Sequence, residues 1–174
     1  MAVREILIIA GPNGAGKTTF AFRYLKLEQR GIPFVNADLI ASGLDPTEPG
    51  RADVQAGRLM LAELDRHAQG GHSFAFETTL SGRGYLRKIR RWRADGYRVS
   101  LIFLSLPSAE DAVRRVAQRV SRGGHHVPPD VVRRRFAAGL RNLRELYSHD
   151  VDSWVLYDNI EEPAVELERS PDHD

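Results

Sequence analysis

The feature that most constrains this chain is an eight-residue run, Gly11-Pro12-Asn13-Gly14-Ala15-Gly16-Lys17-Thr18, which satisfies G-x-x-x-x-G-K-[ST] at every fixed position. An apolar segment at 3–10 feeds it, and a helical pattern from Lys17 to about residue 30 leaves it. Strand, glycine loop and helix in that order open a βα unit, which commits the remaining chain to a parallel sheet covered by helices. The glycines let the backbone curl until successive N–H groups converge on one anion. The start of the helix presents further unpaired N–H groups at its positive end. Lys17 is expected to reach the β- and γ-phosphates of a nucleoside triphosphate, ATP first among them. The Thr18 hydroxyl is expected on Mg²⁺, with Thr19 joining the nucleotide contacts.

Beyond the loop, short apolar runs alternate with helical patterns. Residues 33–36, 73–77, 98–106 and 153–157 read as the second to fifth strands. One helix is expected from a Thr47 cap to about residue 69, with Val54, Leu61, Leu64 and Ala68 inward. The next is capped by Ser81, turns Tyr85, Ile89 and Trp92 inward and ends at Gly96. Ser108 with Asp111 resembles a capping box for a third, and a fourth runs from Asp130 to about Tyr147. The predicted fold is therefore α/β, a single domain over residues 1–158 whose parallel sheet carries helices on both faces. Residues 159–174 are acidic and weakly periodic, and are expected to be loosely ordered.

In open parallel sheets, ligands sit outside the carboxyl ends of the strands. Asp38 lies just past the second strand and Glu77 closes the third, so both are expected to look toward the γ-phosphate. A carboxylate there can accept the proton of an attacking hydroxyl, or hold a water or acceptor hydroxyl near Mg²⁺. Asp38 also precedes an apolar pair, as a helix cap would. For Glu77, acceptor binding and metal coordination both stay open. Thr78 and Thr79 either donate hydrogen bonds to the acceptor or only turn the chain.

Between the fourth and fifth strands, Arg119, Arg122 and the loop Gly123-Gly124-His125-His126-Val127-Pro128-Pro129 lead to Arg133, Arg134 and Arg135. Glycine hinges and arginines over about 119–135 suit a lid that brings positive charge to a transferring phosphoryl group. Arg122 and Arg135 are the first candidates and Arg119 the next, the other arginines reading as solvated helix faces. His125 and His126 lack the third ligand a metal pair would need.

Composition excludes several classes. There are no cysteines, hence no disulfide, zinc-thiolate site or cysteine nucleophile, which suits a reducing cytoplasm. The apolar run at 3–10 is too short for a membrane span and has no cleavage site. Net charge is only +2, so whole-molecule attraction to nucleic acid is not expected. Seven basic residues fall within 83–98, interleaved with Tyr85, Trp92 and Tyr97. At helical spacing the aromatics face the core and the arginines face water.

The P-loop, the Asn36-x-Asp38 segment, Glu77-Thr78-Thr79-Leu80 and the Arg/Gly/His lid occur in the order seen in zeta-toxin-like P-loop kinases, and the chain resembles that family over about 3–159. The resemblance implies a three-layer P-loop NTPase fold of the kinase type, with a five-stranded sheet of order 2-3-1-4-5. It implies ATP-dependent phosphorylation of a hydroxyl on a nucleotide sugar, UDP-N-acetylglucosamine in the toxins of epsilon–zeta systems, and an antitoxin protein as partner. On that pattern Asp38 matches the catalytic base, Glu77 and Thr79 the acceptor contacts, Lys17 the phosphate lysine, and Arg122 and Arg135 the lid arginines. The expected activity is transfer of the γ-phosphate to a small-molecule hydroxyl. A regulatory nucleotide-binding module with slow hydrolysis and a polynucleotide kinase remain as alternatives.

Overall fold

In the computed structural model, which describes residues 3–28, 31–43 and 49–171, the first strand explains the architecture. In β1 (Arg4–Ala10), Ile6, Ile8 and Ala10 turn to one side of the sheet, and Leu7 and Ile9 to the other. All five are buried, which is why the run shows no polar alternation. On the first side they meet Met60 and Leu64 of α3 (Pro49–Gln69), and Ile89 and Trp92 of α4 (Leu86–Ala94). On the second they meet Ala21 and Leu25 of α1 (Lys17–Leu27), and Ala112 and Val116 of α5 (Ala109–Ser121). Three layers result.

The remaining elements are β2 (Phe34–Val35), α2 (Ala37–Ser42), β3 (Phe74–Thr78), β4 (Tyr97–Ser105), α6 (Pro129–Asn142) with a π-helical turn (Leu143–Tyr147) and the short α7 (Ser148–Asp150) behind it, β5 (Ser153–Asp158) and β6 (Val165–Arg169). The sheet order is β2-β3-β1-β4-β5-β6. The first five strands run parallel, as expected, and β6 is antiparallel to β5. A sixth strand, Val165–Arg169, thus lies within the segment after residue 158 expected to be loosely ordered. Its residues are all exposed, so Val165 and Leu167 alternating with glutamates carried too little apolar signal. Register sets the site: Ile9 lies beside Glu77 and Ala10 beside Thr78, so the carboxyl end of β3 opens next to the P-loop.

Several local expectations are corrected. On α3 the inward stripe is Ala56, Met60, Leu64 and His67, whereas Val54 (59% exposed) and Leu61 (40% exposed) face outward. The expected Thr47 cap lies outside the described residues. Ser81 caps nothing: α4 starts at Leu86 without a side-chain cap, and the Ser81 hydroxyl bonds the Thr79 hydroxyl at 2.9 Å. Ser108 does cap α5, accepting from the Asp111 amide at 3.1 Å. The last long helix gives way at Leu143–Tyr147 to a π-helical turn, in which Leu143 and Tyr147 are both buried.

Candidate functional site

The loop between β1 and α1 is shaped by close approach. Gly11 has φ 149°, and a Cβ there would lie 2.2 Å from the Leu104 carbonyl oxygen, so no larger residue fits. Gly16, at φ 80°, is the N-cap of α1 and supplies no side-chain oxygen. The first amides of an eleven-residue helix are left without a cap and face the cleft, ready for an anion. Lys17 is only 8% exposed, and its Nζ donates to the Pro12 carbonyl at 3.1 Å, across the mouth of the loop.

Four other elements bring charge to this amine. Burial pushes the Lys17 pKa down; the carboxylates of Glu77 and Asp38 oppose that, while Arg119 and Arg135 add to it. Glu77 responds in the mirror sense, its carboxyl raised by burial against the pull of Lys17 and a hydrogen bond from Thr18. Both ionised groups sit at a cost that a bound polyanion and cation would relieve.

Thr18 is the hub. Its Oγ1 donates to Glu77 Oε2 at 2.8 Å and accepts from Asn36 Nδ2 at 3.2 Å. Asn36 in turn caps α2, its Oδ1 accepting from the amides of Asp38 (2.7 Å) and Leu39 (3.2 Å). The capping alternative for Asp38 therefore fails. Asn36 is the cap, and the Asp38 side chain is free to line the cleft.

That cleft has a volume of about 1300 Å³. Asn13, Gly14, Gly16, Lys17, Thr18 and Thr19 line it with Asp38, Glu77, Thr78, Thr79, Arg119, Arg122 and Arg135. Arg135 reaches back to Asn13, donating to its Oδ1 at 3.2 Å. Arg119 donates to the His125 carbonyl at 2.9 Å, and its buried Nε has no hydrogen-bond partner among the described residues. Arg122 stands exposed on the rim at the end of α5. The Thr78 hydroxyl accepts from the Leu80 amide at 3.1 Å, so it also shapes the turn.

Reading the sequence missed three residues. Asn36 was noticed only as part of a resemblance. Arg115 donates to the carbonyls of Gly14 (3.4 Å), Asn159 (3.0 Å) and Ile160 (2.6 Å), and Asn159 Nδ2 donates to the Ala15 carbonyl at 2.7 Å. The spacing 115, 119, 122 on one face of α5 was a usable signal for Arg115; nothing flagged Asn159. The basic residues at 83–98 are largely paired instead: Lys88 with Asp65, Arg90 with Asp150, Arg91 with Asp95 and Arg93 with Asp152. Among the described residues no cluster of three or more His, Cys, Asp or Glu could hold a metal. A cation here would take Thr18, phosphate oxygens and waters, the oxygen set Mg²⁺ favours, with the Glu77 carboxylate beside them, and Thr18 fits that role.

A family model described as an AAA domain, AAA_33, matches residues 6–146, from β1 through α6 into the π-helical turn. The chain belongs to the AAA_33 family. An uncharacterised protein of Haemophilus influenzae is 28% identical to this AAA_33 chain over 133 residues, covering 76% of this chain and 92% of that protein. Among solved structures, AvrRxo1-ORF1:-ORF2 with ATP superposes with a TM-score of 0.75 at 18% identity, covering 97% of this chain and 58% of that one. The PezAT toxin-antitoxin system of Streptococcus pneumoniae gives 0.67 at 18% identity, with 97% and 72% covered. A gluconokinase from Sinorhizobium meliloti gives 0.57 at 17% identity, with 92% and 86% covered. The AAA_33 chain spans little more than half the length of the AvrRxo1 protein. These likenesses establish a P-loop kinase-like fold. No helix among the described residues is long and apolar enough to cross a membrane.

Proposed function

We propose that the protein is an ATP-dependent phosphotransferase that moves the γ-phosphate to a hydroxyl of a small molecule. The observation that carries this reading is the convergence on Lys17 of charge from Asp38, Glu77, Arg119 and Arg135, each from a different element. Asp38 takes the proton of the acceptor hydroxyl as its oxygen bonds the γ-phosphorus. The bond from that phosphorus to the β–γ bridging oxygen breaks, and ADP leaves. Lys17, Arg119 and Arg135 oppose the charge spreading over the equatorial oxygens, with Arg122 closing from the rim. The Thr18 hydroxyl would hold Mg²⁺, whose chemistry there would be further neutralisation of phosphate charge.

The base of the nucleotide fits a second cavity of about 480 Å³, walled by Phe20, Tyr24 and Tyr157 and floored by Gly16 and Thr19. The acceptor fits the other end of the main cleft. There the outward Val54 and Leu61 of α3 gain a purpose as an apolar wall, with Tyr85 beside them and Arg58 and Arg87 beyond. An acceptor with a ring body and negative charge suits that lining. A nucleotide sugar such as UDP-N-acetylglucosamine, the acceptor the zeta-toxin resemblance suggests, is of that kind. The likeness to the PezAT structure, itself a toxin-antitoxin system, makes an antitoxin the protein partner to test.

The experiment is a γ-phosphate transfer screen over sugars, nucleotide sugars, nucleosides and oligonucleotides, run with Asp38→Asn alongside. Asp38→Asn should bind ATP as the wild type does and lose on the order of a hundredfold in turnover. Undiminished transfer by that variant removes the base. Hydrolysis with transfer to no acceptor favours a regulatory module.

A further inference from the structure

One hydroxyl and one amide account for more of this site than the P-loop pattern requires. The Thr18 Oγ1 has one proton and two lone pairs. The proton is directed to Glu77 Oε2 at 2.8 Å, and one lone pair accepts from Asn36 Nδ2 at 3.2 Å. A single lone pair remains, and Thr18 lines the cleft. The orientation of that lone pair is held from two sides, by Glu77 taking the proton and by Asn36 occupying the other lone pair. Asn36 is 2% exposed, and its other amide atom is committed too, accepting from the Asp38 and Leu39 amides at 2.7 and 3.2 Å. One buried side chain thus joins the first turn of α2, which carries Asp38, to the hydroxyl at the start of α1. A serine or aspartate at position 36 would cap α2 as well. Neither has an N–H to give Thr18, so capping alone does not account for asparagine.

We propose that Asn36 is a positioning residue that aims the Thr18 lone pair at a divalent cation and locks the helix bearing Asp38 to it. The proposal rests on nucleotide binding at the P-loop and is independent of the acceptor. Its test measures ATP affinity by calorimetry in EDTA and in Mg²⁺, together with Mn²⁺ binding to the protein–ATP complex by electron paramagnetic resonance. Asn36→Ser keeps the cap and removes the donor. Its affinity for ATP in EDTA should match the wild type, while the increment added by Mg²⁺ and the Mn²⁺ affinity each fall by about three- to tenfold, as befits one oriented hydrogen bond. Asn36→Ala should show the same metal loss plus a lower melting temperature. Asn36→Ser with a wild-type metal increment overturns the proposal, leaving only a cap. Equal losses with and without metal also overturn it, since a general distortion of the P-loop would produce them. So does a wild-type protein whose ATP affinity is indifferent to metal. Failure to phosphorylate any acceptor bears on the proposed activity alone.

Discussion

At the scale of single residues, the site is a place where charge is held against its preference. Glu77 sits next to the end of the largely apolar strand β3 and is ionised only against its burial, which raises its pKa, while Lys17 and Thr18 pull the other way. The sign of the linkage follows. A carboxyl whose folded pKa lies above its unfolded value contributes stability below about pH 4.5, and that contribution is lost as pH rises through the folded value. Urea melts of wild type and Glu77→Gln, both without nucleotide, should show the wild-type advantage shrinking from pH 4.5 upward. The slope can reach about 1.4 kcal/mol per pH unit. A difference flat across that range, or one growing with pH, contradicts a buried and reluctantly ionised Glu77. Residue identity was the most legible level of the sequence here. Gly11 to Thr18, Asp38 and Glu77 follow from spacing and strand ends, because those positions are set by local chemistry. Asn36 was harder to read because its value lies in a contact with Thr18, eighteen positions away.

At the scale of elements, backbones approach until only particular residues fit. Helix α6 crosses the turn after β3 so closely that a Cβ on Gly139 would lie 2.7 Å from the Thr79 carbonyl oxygen. The same turn holds Leu80 at φ 57° with its side chain buried, its carbonyl accepting from Asn142 Nδ2 at 2.9 Å. Gly57 on α3, by contrast, meets nothing within 4 Å of a virtual Cβ. Two chemically identical changes should therefore differ in sign. Gly57→Ala gains up to about 1 kcal/mol from helix propensity. Gly139→Ala forfeits that gain to a backbone clash and loses about 1 to 2 kcal/mol net. Chemical denaturation of both decides it, and changes of the same sign would show that α6 does not bear on the Thr79 turn. This is also where the sequence misled. Helical periodicity located α3 but put Val54 and Leu61 inside, because a cleft wall and a core wall are equally apolar. It ran α6 on to Tyr147, because the π-helical turn keeps Leu143 and Tyr147 buried and so continues the apolar pattern.

At the scale of the whole molecule, the P-loop is fastened from behind by the far end of the chain. Asn159 follows β5, donates from its backbone to the Ser105 carbonyl at 3.0 Å and from its side chain to the Ala15 carbonyl at 2.7 Å. Arg115, from α5, holds the carbonyls of Gly14, Asn159 and Ile160 at once. Carbonyls engaged on this outer side leave the amides of the same loop turned to the cleft, as an anion nest requires. The chain then returns as β6 on β5, so the stretch from Asn159 to Arg169 is anchored at both of its ends. Composition could not show this, since the anchors are one asparagine and a set of backbone carbonyls. If the clamp acts as a unit, Arg115→Ala and Asn159→Ala should each weaken ATP binding by roughly three- to tenfold, the loss expected for one or two hydrogen bonds. The double variant should then fall short of the summed losses by about 0.5 to 1.4 kcal/mol, at most one full single-variant loss, because the first change already frees what the second would release. Calorimetry on the four proteins closes the cycle. Strict additivity would mean that each residue braces the loop separately, and that the end of β5 has no collective hold on the phosphate site.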